Sequence, residues 1–424
     1  MNSLGLKRMT DATIRQTCSI AAKVEGKSGE KVVHLEIGNP GLQASHIGVA
    51  AEVEALQNGI ANKYPAIDGI PEIKKAGEKF IKAFLNIDVP AEGIIPTVGS
   101  MQGSFTLMLL LKQRDPKKDT MLFINPGFPA QPTQARILGL KNESFDIYDY
   151  RGEKLEEKLE ECMKKGNITA LIYSNPNNPA WINLTQQELE IIGRLATKYD
   201  VIVLEDLAYM GMDFRTDFGI PCQAPYVPSV ANYTDNYILL LSGSKIFSYA
   251  GQRISLVAMS PTVASRDFPA IREFYSMPNF LNAYIYGILY AASSGTAHSV
   301  QFAMAAMLNA AAEGQLNFVA ECHEYGRRAE RAKKIFTDNG FKVVYDMDGN
   351  CPISDGFFFT AGYPGMDSEE VQRELMRYGI GSISLPGTGS KQDGIRVCIS
   401  MLSDDVTFEQ LNKRLKAFHN DHKA

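Results

Sequence analysis

The feature that most constrains the fold is an alternation of short apolar runs with helical patterns between about residues 94 and 260. The runs are GIIPTVG, DTMLFIN, ESFDIY, ALIYSN, VIVLED, YILLLSG and ISLVAMS. Their apolar character is largely continuous, which is typical of strands that helices cover on both faces. The pattern therefore predicts an α/β domain built on a mainly parallel, seven-stranded sheet.

The rest of the chain predicts a smaller α+β domain. A helical zone over about 279–338 precedes the β-rich runs FKVVYDMD, DGFFFTAG, YGIGSISL and GIRVCIS. The first 25 residues have the pattern of an amphipathic helix, and no Pro- or Ser-rich linker separates the parts. We therefore expect a large domain over 45–305, and a small domain formed by 306–424 with an N-terminal arm, 1–44.

Composition excludes several classes of partner. The chain has 43 basic and 48 acidic residues with the signs interspersed, so neither nucleic acid nor an anionic membrane is an expected partner. The cysteines and histidines lack the spacing of a metal site, so no metal is expected. Small metabolites are the expected ligands, in a cytoplasmic protein with reduced cysteines.

Polar residues follow the apolar runs at the ends where such sheets bind ligands. One of them is a lysine, Lys245, in the stretch SGSKIFSYAGQR. A lysine at a strand end is usually solvated. Here Ser242, Ser244 and Arg253 supply hydroxyls and a guanidinium that suit a dianion, and a desolvated lysine can attack an aldehyde. Pyridoxal 5'-phosphate (PLP) carries both a phosphate and an aldehyde.

This stretch resembles the Ser-x-Ser-Lys loop of the class I and II aminotransferases, which are fold type I PLP enzymes. The resemblance implies that Lys245 forms the internal Schiff base and moves protons, while Ser242, Ser244 and Arg253 hold the phosphate. It extends over most of the chain, from about Leu35 to Leu411, with the family's motifs in the family's order.

The segment LEDLAYMG resembles the family's Asp-x-Ala-Tyr motif. A carboxylate buried after VIVL needs a partner, and a protonated pyridine nitrogen would be one. The resemblance implies that Asp206 binds the ring nitrogen, Ala208 lies under the ring and Tyr209 binds the phenolic oxygen. Glu205 faces the other side of the strand and is the weaker candidate.

The segment YSNPNNPAWIN resembles Asn-Pro-x-Asn-Pro-Thr-Gly, which implies that Asn178 also binds the phenolic oxygen. Ala180 and Trp181 replace Thr-Gly, which leaves the turn conformation open; simple packing is the alternative interpretation of Trp181.

Four further residues complete the cofactor site that the resemblance implies. Ser100 and the backbone amide of Met101, in TVGSMQGSF, match the phosphate cup. Phe128 falls where the family stacks an aromatic ring on the cofactor, although an ordinary core phenylalanine is an equal alternative. Tyr64 would reach the phosphate of a partner subunit, which implies a homodimer with shared sites.

The segment GIRVCIS indicates where the substrate binds, because it resembles the family's segment whose arginine binds the substrate α-carboxylate. Arg396 within this β-rich run would otherwise be a costly buried charge, and a bidentate carboxylate explains it. Gly38, through its backbone, and Asn178 are the other expected substrate contacts.

The predicted activity is PLP-dependent transamination between an amino acid and a 2-keto acid. A carbon–sulfur β-lyase of the same fold is the alternative, because the motifs do not separate the two. The segment YAASSGTAHSVQ has no arginine or lysine and only His298, and Met101 occupies the cup position. These residues favour an apolar, sulfur-containing or aromatic substrate over aspartate.

Overall fold

The computed structural model describes residues 5–423. Its α-helices are α1 (Ile14–Ser28), α2 (His46–Gln57), α3 (Pro71–Leu85), α4 (Gly99–Leu111), α5 (Ala130–Ile137), α6 (Glu153–Met163), α7 (Gln186–Lys198), α8 (Gly243–Ile246), α9 (Pro261–Ser265), α10 (Pro269–Tyr275), α11 (Phe280–Asn282), α12 (Tyr290–Ala292), α13 (His298–Ala312), α14 (Phe318–Asp338), α15 (Ser368–Arg377) and α16 (Asp405–His422). A π-helix, Ala283–Leu289, joins α11 to α12. Over residues 5–423, no helix is both long and apolar enough to cross a bilayer.

The strands are β1 (Val33–His34), β2 (Ile94–Thr97), β3 (Thr120–Asn125), β4 (Lys141–Asp146), β5 (Ile168–Ser174), β6 (Ile202–Asp206), β7 (Tyr237–Ser242), β8 (Ser255–Met259), β9 (Lys342–Val343), β10 (Met347–Asp348), β11 (Cys351–Pro352), β12 (Phe358–Gly362), β13 (Ile380–Gly381), β14 (Ile383–Ser384) and β15 (Ile395–Cys398). Short 3-10 helices cover Met9–Asp11, Ile60–Asn62, Ala91–Gly93, Ile147–Asp149, Val230–Asn232, Ala250–Gln252 and Pro386–Thr388.

The larger sheet has seven strands in the order β2-β8-β7-β6-β5-β3-β4. Strand β8 is antiparallel to both of its neighbours, and the remaining pairs are parallel, so the other strands all run in one direction. This confirms the predicted mainly parallel, seven-stranded sheet. Strands β4 and β5 begin two residues before their apolar runs because both pair with Thr120 of β3.

Helices cover both faces of this sheet, as its continuous apolar runs require. On β7, Leu239 and Leu241 belong to one hydrophobic core, whereas Ile238 and Leu240 belong to another on the opposite face. The first core also takes in α3, α7 and α13, and the second takes in α4 and the π-helix. With both faces buried, only the strand ends are left to form a polar site.

The smaller sheet is antiparallel, with the order β14-β15-β12-β9. The N-terminal segment packs beside it: β1 pairs with β13, and Ile20 and Ala21 of α1 share a small core with Val32 and Met376. Helix α1 starts at a capping box between Thr13 and Gln16, which satisfies its first backbone amides.

Candidate active site

A cavity of about 1390 Å³ opens where β3, β5, β6 and β7 end. Its wall includes all but one of the predicted site residues: Gly38, Ser100, Met101, Phe128, Asn178, Asp206, Ala208, Tyr209, Ser242, Ser244, Lys245, Arg253 and Arg396. The exception is Tyr64, whose surface is 94% exposed. Residues of β12, β14, β15 and α1 complete the wall, so segments that are far apart in the chain share the cavity.

Lys245 lies in the short helix α8, directly after the end of β7. Its Nζ donates a hydrogen bond to the carbonyl of Gly38 and lies 5.1 Å from the centre of the Phe357 ring. Burial lowers the pKa of Lys245 to about 8, and the charges of Arg396 and Arg253 act in the same direction. At pH 7 about a tenth of the amine is therefore neutral and nucleophilic, a far larger fraction than for an ordinary lysine.

Hydroxyls, amides and a guanidinium converge at the start of α4. Gly99 has a φ of +67°, and a Cβ there would lie 2.4 Å from Arg253 Nη2, so glycine lets the guanidinium approach the backbone. The Ser100 hydroxyl has no hydrogen-bond partner within the described part of the chain. Ser242 Oγ accepts from the Ser244 amide at 3.1 Å. A cation, free hydroxyls and the first amides of a long helix fit a phosphate.

Asp206 ends β6 and is 7% exposed. Its Oδ2 accepts from Gln131 Nε2 at 3.0 Å and its Oδ1 accepts from the Ala208 amide at 3.2 Å. Burial raises its pKa to about 6, and no residue between 5 and 423 forms an ion pair with it. A buried carboxylate held only by neutral donors fits a protonated ring nitrogen.

Glu205, the neighbouring carboxyl group, points to the opposite face of the sheet. It accepts from the Tyr173 hydroxyl at 3.0 Å, from the Val230 amide at 3.2 Å and from Ser229 Oγ. Burial raises its pKa to about 7. Because Glu205 does not line the cavity, its hydrogen bonds serve the packing of the sheet and not the site.

Arg396 lies on β15 and is 1% exposed. Its Nη2 donates to the carbonyl of Glu36 at 2.6 Å and its Nη1 to Asn178 Oδ1 at 3.3 Å, and the guanidinium lies 4.7 Å from the centre of the Phe358 ring. Its Nε has no partner within residues 5–423, and burial lowers its pKa. A buried guanidinium with a free donor fits a carboxylate in the cavity.

Trp181 stands where the Asn-Pro-x-Asn-Pro-Thr-Gly motif has its glycine. The sequence left open which conformation this turn adopts without glycine, and the structure shows it. Its φ is +65°, so this turn keeps a left-handed residue without glycine. The indole is fully buried, with ring centres 5.5 Å from Tyr209 and 6.2 Å from Phe358. Gly356 makes room for it, since a Cβ there would lie 2.0 Å from the indole. Trp181 is therefore a packing residue, which is the alternative interpretation given in the sequence analysis.

Several wall residues were not predicted from the sequence. Gln131 follows Phe128 by one helical turn, and that spacing is the signal that could have found it. Arg15 and Cys18 reach the wall from α1, and Arg136 reaches it from α5. These two arginines come from segments other than the two in which the sequence analysis looked for a second cation. His298 lies elsewhere: its Nδ1 is 3.0 Å from the Lys63 carbonyl, and its ring stacks on Phe302.

Comparison with known proteins gives consistent matches. The family model described as "Aminotransferase class I and II" matches residues 30–414. The aspartate aminotransferase of Pyrococcus horikoshii is 26% identical over 263 residues, which is 62% of each chain. The probable aspartate aminotransferase of Methanocaldococcus jannaschii is 23% identical over 93% of each chain. The match with the first relative thus spans about three fifths of its length.

Solved structures show the same fold. The alanine aminotransferase from Pyrococcus furiosus superposes with a TM-score of 0.77 and 19% identity over 98% of each chain. The aspartate aminotransferase from Thermus thermophilus with maleate gives a TM-score of 0.74 and 18% identity, over 95% of this chain and 96% of that one.

Proposed function

Because the chain belongs to the class I and II aminotransferases, a family of PLP-dependent enzymes, we propose that it transfers an α-amino group from an amino acid to a 2-keto acid. The proposal is carried by the convergence on one cavity of a desolvated lysine, a buried carboxylate without a cationic partner, and a buried arginine with a free Nε: Lys245, Asp206 and Arg396. The chemistry needs all three together.

The residues of the cavity fit the family's cofactor. The unpartnered Ser100 hydroxyl and the Met101 amide, with Ser242, Ser244 and Arg253, would hold the phosphate. The ring would lie between Phe128 and Ala208, with Asp206 at its nitrogen and Asn178 and Tyr209 at its phenolic oxygen. When bound, PLP withdraws electrons from the substrate Cα and so makes the α-proton acidic.

The residues of the cavity have separate roles in this reaction. Arg396, with Asn178, binds and orients the substrate α-carboxylate, and the Gly38 carbonyl holds the amine of Lys245 beside it. Neutral Lys245 Nζ accepts the proton from the substrate Cα. Asp206 would hold the ring nitrogen of the bound cofactor in its protonated form. Since Lys245 must be neutral to accept a proton and its pKa is about 8, the rate of proton transfer to the free amine should rise as pH increases through that value.

A substrate panel tests the activity. The holoenzyme is incubated with each of the twenty amino acids and with either 2-oxoglutarate or pyruvate, and keto-acid formation is measured. We expect turnover that requires both the amino donor and the keto acid. Release of pyruvate and ammonia from cystathionine or cysteine, with no turnover in any keto-acid reaction, would contradict the proposal and indicate the lyase.

We also propose that the enzyme is a cytoplasmic homodimer with shared sites. Tyr64 is 94% exposed, and Val49, Val53 and Leu56 form an exposed apolar stripe at helical spacing on the nearby α2. Mixing inactive Lys245→Ala and Tyr64→Ala chains should restore activity, because one hybrid site regains both residues. The free cysteines suit a reducing compartment.

The same proposal includes the domain division, with a large domain over 45–305 and a small domain formed by 1–44 and 306–424. The pairing of β1 with β13 supports it, since this contact attaches the N-terminal arm to the later part of the chain.

A further inference from the structure

The cavity wall carries more positive charge than the proposed reaction uses. Its cations are Arg15, Arg136, Lys245, Arg253 and Arg396. The last three are assigned to the cofactor and to the substrate α-carboxylate. Arg136 and Arg15 are both exposed at the mouth of the cavity, but Arg136 already donates to Thr133 at 3.2 Å within its own helix. Arg15 is left without an assignment.

Arg15 has no hydrogen bond or ion pair to any residue that the structure describes. The nearest acidic wall residue along the chain, Asp11, is already paired with Arg8 at 2.9 Å. Arg15 is the second residue of α1, a position where the helix dipole favours acidic side chains. Neither an ion pair nor helix stability therefore explains an arginine here.

The position of α1 directs Arg15 to the substrate end of the cavity. Arg15 and Cys18 are one helical turn apart, and both line the wall. Burial raises the pKa of the Cys18 thiol, and the charges of both Arg15 and Arg396 act to lower it, so the thiol lies within electrostatic range of both. Arg15 and Arg396 thus lie on the same cavity wall, and the charges of both act on the Cys18 thiol.

The helix that carries Arg15 is fixed to the small domain. The amides of Met9 and Thr10 donate to the Glu369 carboxylate at 3.0 Å and 2.9 Å. At the other end, the Val32 amide donates to Glu25 at 2.9 Å. These bonds hold the start of α1 against the cavity, which is what a specificity residue requires.

We propose that Arg15 binds a carboxylate at the far end of the substrate side chain, so that dicarboxylic amino acids and keto acids are the preferred substrates. This inference rests on the proposed transamination and names its substrate class. It reverses the preference for apolar substrates expected from the sequence. Without Arg15, a carboxylate at the far end of the side chain would have no cationic partner there, whereas a neutral side chain would lose little.

The test compares Arg15→Met with Arg15→Lys and with Arg136→Met. The last variant is the matched control, because it removes the other cavity arginine that the proposed reaction does not use. We expect Arg15→Met to lower kcat/KM for glutamate about a hundredfold and to leave that for glutamine within about threefold. Arg15→Lys should recover part of the lost kcat/KM for glutamate. Arg136→Met should leave kcat/KM unchanged for both substrates. Equal losses for glutamate and glutamine, or a wild-type enzyme that does not prefer glutamate, would overturn the proposal while transamination still stands.

A binding measurement separates this inference from the proposed activity. Calorimetric titration of the holoenzyme with glutarate and with pentanoate compares two and one carboxylates on the same five-carbon chain. Glutarate should bind more tightly to the wild type, and Arg15→Met should remove most of that difference. If no amino acid is turned over, the proposed function fails, and this titration still decides the role of Arg15: equal affinities for the two acids in the wild type would refute it.

Discussion

The cavity has a floor made of strand ends from one sheet and a roof made of segments that are far apart in the chain. We define the floor as Asn178, Asp206 and Ser242–Lys245. We define the roof as Arg15, Cys18, Gly38 and Arg396. The floor is expected to hold the cofactor, whereas the roof is expected to hold the substrate.

The two regions are held by different kinds of contact. In the floor, Asp206 is bound by the Ala208 amide and Ser242 by the Ser244 amide, each two residues along the chain. In the roof, Arg396 donates to the Glu36 carbonyl, 360 residues away in sequence. The floor therefore depends mainly on the sheet and on the segments that directly follow its strands, with Gln131 and Gly38 as added contacts, while substrate specificity depends on how α1 and β15 dock.

The largest effect should come from breaking the floor at Lys245. Lys245→Ala removes the amine that moves the substrate proton, so kcat should fall on the order of 10⁴-fold while the cofactor still binds. Borohydride reduction of the wild type should attach the pyridoxyl group to the peptide that contains Lys245. Lys413→Ala, an exposed lysine on α16, is the control. A pyridoxyl label on any other lysine would refute the assignment.

The sequence predicted the floor well because its residues lie in short continuous motifs at the ends of recognisable strands. All seven apolar runs form strands of the larger sheet, and the lysine, aspartate and asparagine motifs meet at one edge. Gln131 and Arg15 were missed for a physical reason. Their roles arise only from contacts between distant elements: α5 with β6, and α1 with the cavity. A helix can be predicted from its pattern, but its docking cannot.

An intermediate effect should separate the two adjacent carboxyl groups of β6. Asp206→Asn removes the charge that would keep a ring nitrogen protonated, so kcat should fall roughly a hundredfold or more and cofactor affinity should weaken. Glu205→Gln, on the opposite face, should lower thermal stability and leave kcat within about threefold. Kinetics and cofactor titration of both variants check this. Equal losses of kcat would mean that the floor extends through the sheet to Glu205.

The smallest effect concerns Trp181, which packs on Tyr209 and on Phe358, the ring beneath Arg396. Trp181→Ala leaves a large cavity and should lower the free energy of unfolding by about 3 to 5 kcal/mol. Trp181→Gly leaves a similar cavity but relieves the left-handed backbone at φ +65°, so it should lose about 1 kcal/mol less than the alanine variant. Urea denaturation of both variants measures this difference.

The kinetics of the same pair of variants show whether this packing links the floor to the roof. If Phe358 positions Arg396, both variants should raise KM for the amino acid several-fold with a smaller change in kcat, because Arg396 binds the carboxylate and Lys245 moves the proton. If instead kcat falls with KM unchanged, Trp181 acts on the floor through Tyr209. Wild-type values of both constants in a folded variant would show that the two regions are independent at this contact.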